Sequence, residues 1–121
     1  MSALSRLGVV SRQYESMADE YREVAIAAAT AEATHKAARA KAILRAKAGE
    51  ARVSHADAES RAEADDEIAD LYRQRLITAA VADSHREKLR QLREQVATGR
   101  TAVASERDVD RIHANGLSGA A

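Results

Sequence analysis

Between Ala18 and Ala51, a series of positions three or four residues apart carries no charged side chain: Ala18, Tyr21, Ala25, Ala29, Ala33, Ala37, Ala40, Leu44, Ala48 and Ala51. Residues at that spacing share one face of an α-helix. A face built almost entirely of methyl groups buries itself only by packing closely against another helix. The stripe repeats at about 3.67 residues. A competing heptad through Tyr14, Met17, Tyr21, Val24, Ala28 and Ala31 would carry His35 and Arg45 into the core. The uncharged stripe is therefore the expected seam. The 121 residues contain no proline to interrupt a helix. Strand formers never alternate over a strand length. The fold class expected is all-α.

A break is expected at 49–54. Gly49 can take left-handed backbone angles and end a helix. Ser54 and Asp57 then form a Ser-x-x-Asp start signal, with Asp57 and Glu59 near the positive end of the new helix dipole. These signals predict helix one over about 11–48, a turn at 49–54, helix two over about 55–113, and a disordered tail at 115–121. All of 1–114 is one domain. The face of helix two reads Ile68, Tyr72, Leu76, Ala79, Ala82, His85, Leu89, Leu92, Val96, Gly99 and Val103, close to a heptad seam. Ser60 to Asp66 lacks large apolar residues, so a bend can fall there. Gly99 is a point of local fraying.

Charge is arranged in blocks although basic and acidic residues balance at 19 each. Glu15, Asp19, Glu20, Glu23 and Glu32 precede Lys36, Arg39, Lys41, Arg45, Lys47 and Arg52. Asp57 to Asp70 is acidic, and the segment from Arg86 leans basic. Folding the chain back near Val53 sets basic 36–52 beside acidic 57–70, and acidic 15–23 beside Arg86 and Arg90. The same fold pairs Tyr14 with Leu92, Val10 with Val96 and Leu4 with Ala102. A long antiparallel helical hairpin satisfies both patterns at once. Two helices leave apolar residues such as Val24, Ile26, Ile43, Leu71, Ile77 and Val81 off the seam. A four-helix bundle formed by a dimer or higher oligomer would cover them.

Sites for chemistry are not evident. The histidines His35, His55, His85 and His113 do not pair at helical spacing, and the register brings no two together, so no metal or cofactor is expected. Nucleophile elbows, Walker loops and dinucleotide fingerprints are missing from the sequence, and the expectation is a protein that is not an enzyme. The balanced charge fits neither a generic nucleic-acid binder nor a DNA mimic. The start of the chain has no signal-peptide pattern and no run reaches membrane-spanning length, so a cytoplasmic location is expected.

The candidate interaction surface is a ladder, Arg86, Arg93, Arg100 and Arg107, with Arg90 and Arg111 beside it, plus apolar Val109 and Ile112 near the end of helix two. Salt bridges flanking a coiled coil explain the ladder structurally. Phosphate contact or docking of an acidic partner explains it functionally. Interleaved Glu87, Glu94, Glu106 and Asp108, with no aromatic residue nearby in sequence, favour the structural reading.

Two stretches, VSHADAESRAEADDE at 53–67 and EKLRQLREQVATGRTAVASERD at 87–108, resemble small helical-hairpin early proteins of tailed bacteriophages encoded near recombination or replication genes. The resemblance implies an accessory protein acting through protein–protein contact, binding a replication or recombination protein of phage or host. Direct DNA binding through the arginine edge is the alternative, and a structural coiled-coil assembly factor a third.

Overall fold

The computed structural model describes residues 2–49 and 52–119. Among them are three helices, α1 (Ala3–Lys47), α2 (His55–Ala64) and α3 (Asp66–Gly119). α1 and α3 pair antiparallel, the helical hairpin expected. By internal contacts the chain forms two compact units, one of Met1–Tyr21 with His85–Ala121, the other Arg22–Ser84.

In the first unit the partners descend α3 as α1 ascends. The Ala3 amide donates to Glu106 Oε1 at 3.2 Å, and His85 Nε2 lies 3.7 Å from Glu20 Oε2. Arg86 Nε donates to the Tyr21 hydroxyl. A Cβ built on Gly99 would lie 3.1 Å from Leu7 Cδ1 and 3.7 Å from Leu7 Cβ. Gly99 is thus the hole that admits the Leu7 knob. α1 begins eight residues earlier than the sequence suggested because Ala3, Leu7 and Val10 all find cover on α3. Ser2 caps it, its Oγ accepting from the Ser5 amide at 3.1 Å.

The buried face of α1 is the heptad, not the alanine stripe. Leu7, Tyr14, Tyr21, Ala28, His35 and Ala42 (a) alternate with Ala3, Val10, Met17, Val24, Ala31 and Ala38 (d), all buried or half-buried. Ala29, Ala33, Ala37, Ala40, Leu44 and Ala48 are exposed; Ala51 lies outside the described residues. The stripe leaves His35 outside the core, yet His35 is only 6 % exposed. Its environment, described below, makes that burial tolerable. Arg45 does stay exposed. At that level the buried edge moves to Ile43 and Ala46, because α2 packs there: Ile43, Ala58 and Ala62 form a cluster with Ala42, Ala46 and Val53 against it.

On α3 the seam is Ile68, Arg75, Ala82, Leu89, Val96 and Val103 (a) with Leu71, Thr78, His85, Leu92 and Gly99 (d). The expected set holds at Ile68 and from Ala82 onward. Between the two, Tyr72, Leu76 and Ala79 are exposed, and Leu71, Arg75 and Thr78 turn inward.

Three backbone expectations are refined. Helix two is interrupted at Asp65, inside the 60–66 stretch where a bend can fall, with φ of −70° and ψ of 128° in the extended region. Asp65 Oδ1 accepts from the Glu67 and Ile68 amides at 2.9 and 3.2 Å, so this carboxylate starts α3 as Ser54 starts α2. Ser54 behaves as expected, its Oγ taking the Asp57 amide at 3.1 Å. No described glycine has a positive φ, so α1 ends at Lys47 without a left-handed glycine at Gly49. At the other end α3 continues through 115–119, past the expected stop near His113.

Asp65→Ala should cost about 1 kcal/mol through loss of a two-amide cap. Gly99→Leu should cost about 1–3 kcal/mol by forcing α3 off Leu7. Urea unfolding followed by circular dichroism measures both, and an unchanged midpoint in either variant would contradict the packing described.

Candidate functional site

Heptad numbering sorts the charges of α3 in a way that linear spacing obscures. Arg86, Arg93, Arg100 and Arg107 occupy e, immediately beside the seam. Arg90, Ala97, Ala104 and Arg111 occupy b on the same flank. From Arg86 to Arg111 this two-column strip contains no carboxylate. Glu87, Glu94 and Asp108 fall on f, the outermost position, and Glu106 on d. Glu87, Glu94 and Asp108, which looked interleaved in sequence, therefore lie to one side of the arginines.

Partners differ along the strip. Arg90 is held by Glu87 and by Glu94 at 3.1 Å, which raises its own pKa, and Arg90 in turn keeps the Glu87 carboxyl below its ordinary range. Arg111 pairs with Asp108 one turn back. Arg93, Arg100 and Arg107 make no ion pair among the described residues. The salt-bridge explanation thus covers Arg90 and Arg111 but not these three guanidiniums. Arg93 and Arg100 border a groove of about 480 Å³ with Ser11, Tyr14, Glu15, Val96 and Ala97. Tyr14 and Tyr21 come from α1, which is why the sequence around the arginines showed no aromatic. Val109 and Ile112 lie beyond, 64 % and 71 % exposed.

A second polar group sits inside Arg22–Ser84. Arg75, on a seam position, donates from Nη1 to His35 Nδ1 at 3.2 Å and from Nη2 to Glu32 Oε1 at 3.4 Å. A guanidinium only donates, so Nδ1 must offer a lone pair and the ring proton resides on Nε2. Tyr72 tilts against the imidazole with centroids 5.3 Å apart. Desolvation first, then the charges of Arg75 and Arg39, hold the His35 pKa below its ordinary 6.5. Glu32 is held below its usual range chiefly by Lys36, bonded at 2.8 Å, and then by Arg75. Arg39 lies 3.4 Å from Glu63 and 3.9 Å from Glu59, tying α2 to α1. With His35, Ile68, Ala69 and Tyr72, the pair Arg39 and Glu63 lines a cleft of about 460 Å³.

Among the described residues no three histidine or acidic side chains converge as metal ligands, and no helix is long and apolar enough to cross a membrane. No protein-family model, curated protein or solved structure matches the chain.

Because His35 is neutral in the folded chain, the unfolded chain binds the extra proton below pH 6.5. Its contribution to stability is complete above that value and declines as pH falls toward the lowered folded pKa. We expect the wild type to lose more stability between pH 7.5 and 5.5 than His35→Leu, measured by urea unfolding at both values. Equal losses would show that His35 is not buried neutral.

Proposed function

We propose that the protein is a non-enzymatic phage accessory protein that binds an acidic surface of a replication or recombination protein, of phage or host, in the host cytoplasm. The resemblance of 53–67 and 87–108 to phage early proteins supports the setting. The observation that carries the docking reading is the set Arg93, Arg100 and Arg107, seven residues apart, without carboxylate partners and on a strip free of acid. At 1.5 Å per residue they repeat about every 10.5 Å. That interval matches carboxylates placed once per heptad on a partner helix. Exposed Val109 and Ile112 add an apolar anchor of the kind used when a helix enters a groove.

DNA binding is the second reading, favoured by the same unpaired guanidiniums and by Tyr14 beside them. The net charge of zero weighs against it, since the counterion-release drive needs an excess of cations.

Two experiments on wild type and the Arg93→Glu/Arg100→Glu/Arg107→Glu variant separate the readings. Affinity capture from phage-infected host cells should recover a specific protein with the wild type and lose it with the variant. Fluorescence anisotropy with labelled single- and double-stranded DNA should show no binding at low salt. DNA affinity that falls steeply with salt, with a slope reduced by about 3 in the variant, would establish the DNA reading instead. Equal capture by both proteins would remove the strip from the function.

A further inference from the structure

Within Arg22–Ser84, each long helix contains a stretch without charge: Val24–Ala31 on α1 and Leu76–Ala82 on α3. The bonds from Arg75 to Glu32 and His35 set these stretches side by side. Together they form a band with almost no polar group. Thr78, the one hydroxyl of the α3 stretch, spends its proton on the carbonyls of Gln74 and Arg75 in its own helix. Large side chains nonetheless face solvent, with Ile26 at 62 %, Leu76 at 51 % and Tyr72 at 49 % exposure. A helix that is apolar on every side is ordinarily buried, and an exposed apolar band marks a contact surface.

We propose that a second copy of this chain covers the band, with α1 packed antiparallel on its own copy across a two-fold axis between Ala25 and Ala29. Charge is what selects this occupant. The flank of α1 beside Leu76 reads Arg22, Ala25, Ala29 and Glu32 at successive b and e positions. Turned end for end, this series is its own electrostatic complement. Arg22 meets Glu32 of the second copy, and Ala25 meets Ala29 of the second copy. A two-fold interface demands such self-complementarity, because every contact from i to j recurs from j to i. The same turn sets Glu15 of α1 beside Arg39 of the second copy, whereas a parallel arrangement would set each charge against its like. Alanines at the axis let the two α1 helices approach closely while Leu76 and Tyr72 close over them from α3.

Sedimentation equilibrium on the full chain at tens of micromolar should give twice the 13.0 kDa chain mass. Leu76→Glu should weaken self-association by about ten-fold or more. Arg22→Glu and Glu32→Arg should each weaken it, and the two together in one chain should restore it, with helix content by circular dichroism unchanged. Restoration is the deciding readout: effects confined within one chain would leave the double variant no better than either single one. Arg93→Glu should dimerise normally, so failure of the arginine-strip reading leaves this one standing. A single-chain mass throughout, or a dimer indifferent to both Leu76→Glu and the charge exchange, would overturn the proposal.

Discussion

Because the seam between α1 and α3 is built from alanine, valine and a few half-buried leucines and tyrosines, its strength depends on how closely two backbones approach. Among the described residues no large side chain is fully buried. Small residues give little hydrophobic stabilisation each, on the order of 25 cal/mol per Å² removed from water. What they permit is proximity, and Gly99 accepting Leu7 shows how far this goes. Register is then set by polar groups rather than bulk. Arg75 bound to His35 and Glu32, Arg39 near Glu59 and Glu63, and Ala3 on Glu106 each fail if one helix slides by a turn.

That division of labour explains what could be read from the sequence and what could not. Helical class, the Ser54 start and the antiparallel pairing follow from local chemistry and charge blocks, which survive small errors in phase. The choice of buried face does not. The stripe from Ala18 and the heptad from Tyr14 differ by only one residue per turn at several points. Excluding His35 as polar selected the wrong one. A neutral imidazole accepting from Arg75 and lying against Tyr72 costs far less to bury than a cation would. Asp65 was legible as part of an acidic run in a stretch where a bend can fall; its role as a cap needed the extended backbone that frees its carboxylate to turn back on Glu67 and Ile68.

The arginine strip shows the same effect of phase. In linear order the basic residues from Arg86 to Arg111 alternate with acids and look neutral. Once Leu89 and Val96 are placed at a, Glu87, Glu94 and Asp108 move to f and the arginines gather at e and b. Among the described residues Arg93, Arg100 and Arg107 carry no ion pair. An uncommitted guanidinium beside a narrow seam can pair with an incoming carboxylate or phosphate without first breaking an internal bond. The apolar band of the Arg22–Ser84 unit offers a different kind of contact, with little polarity at its centre and opposite charges at its ends. The two surfaces thus differ in chemistry, one cationic and one apolar.

The phase of the seam is the claim on which these surfaces rest, and a designed disulfide tests it most directly. The chain has no cysteine of its own. At Leu7 and Gly99 the Cβ positions lie 3.7 Å apart, inside the range a disulfide requires. Leu7→Cys/Gly99→Cys should close an intramolecular disulfide quantitatively in dilute solution under mild oxidation, whereas Leu4→Cys/Gly99→Cys should remain reduced. Closure of the Leu4 pair in preference to the Leu7 pair, or of neither, would contradict the seam.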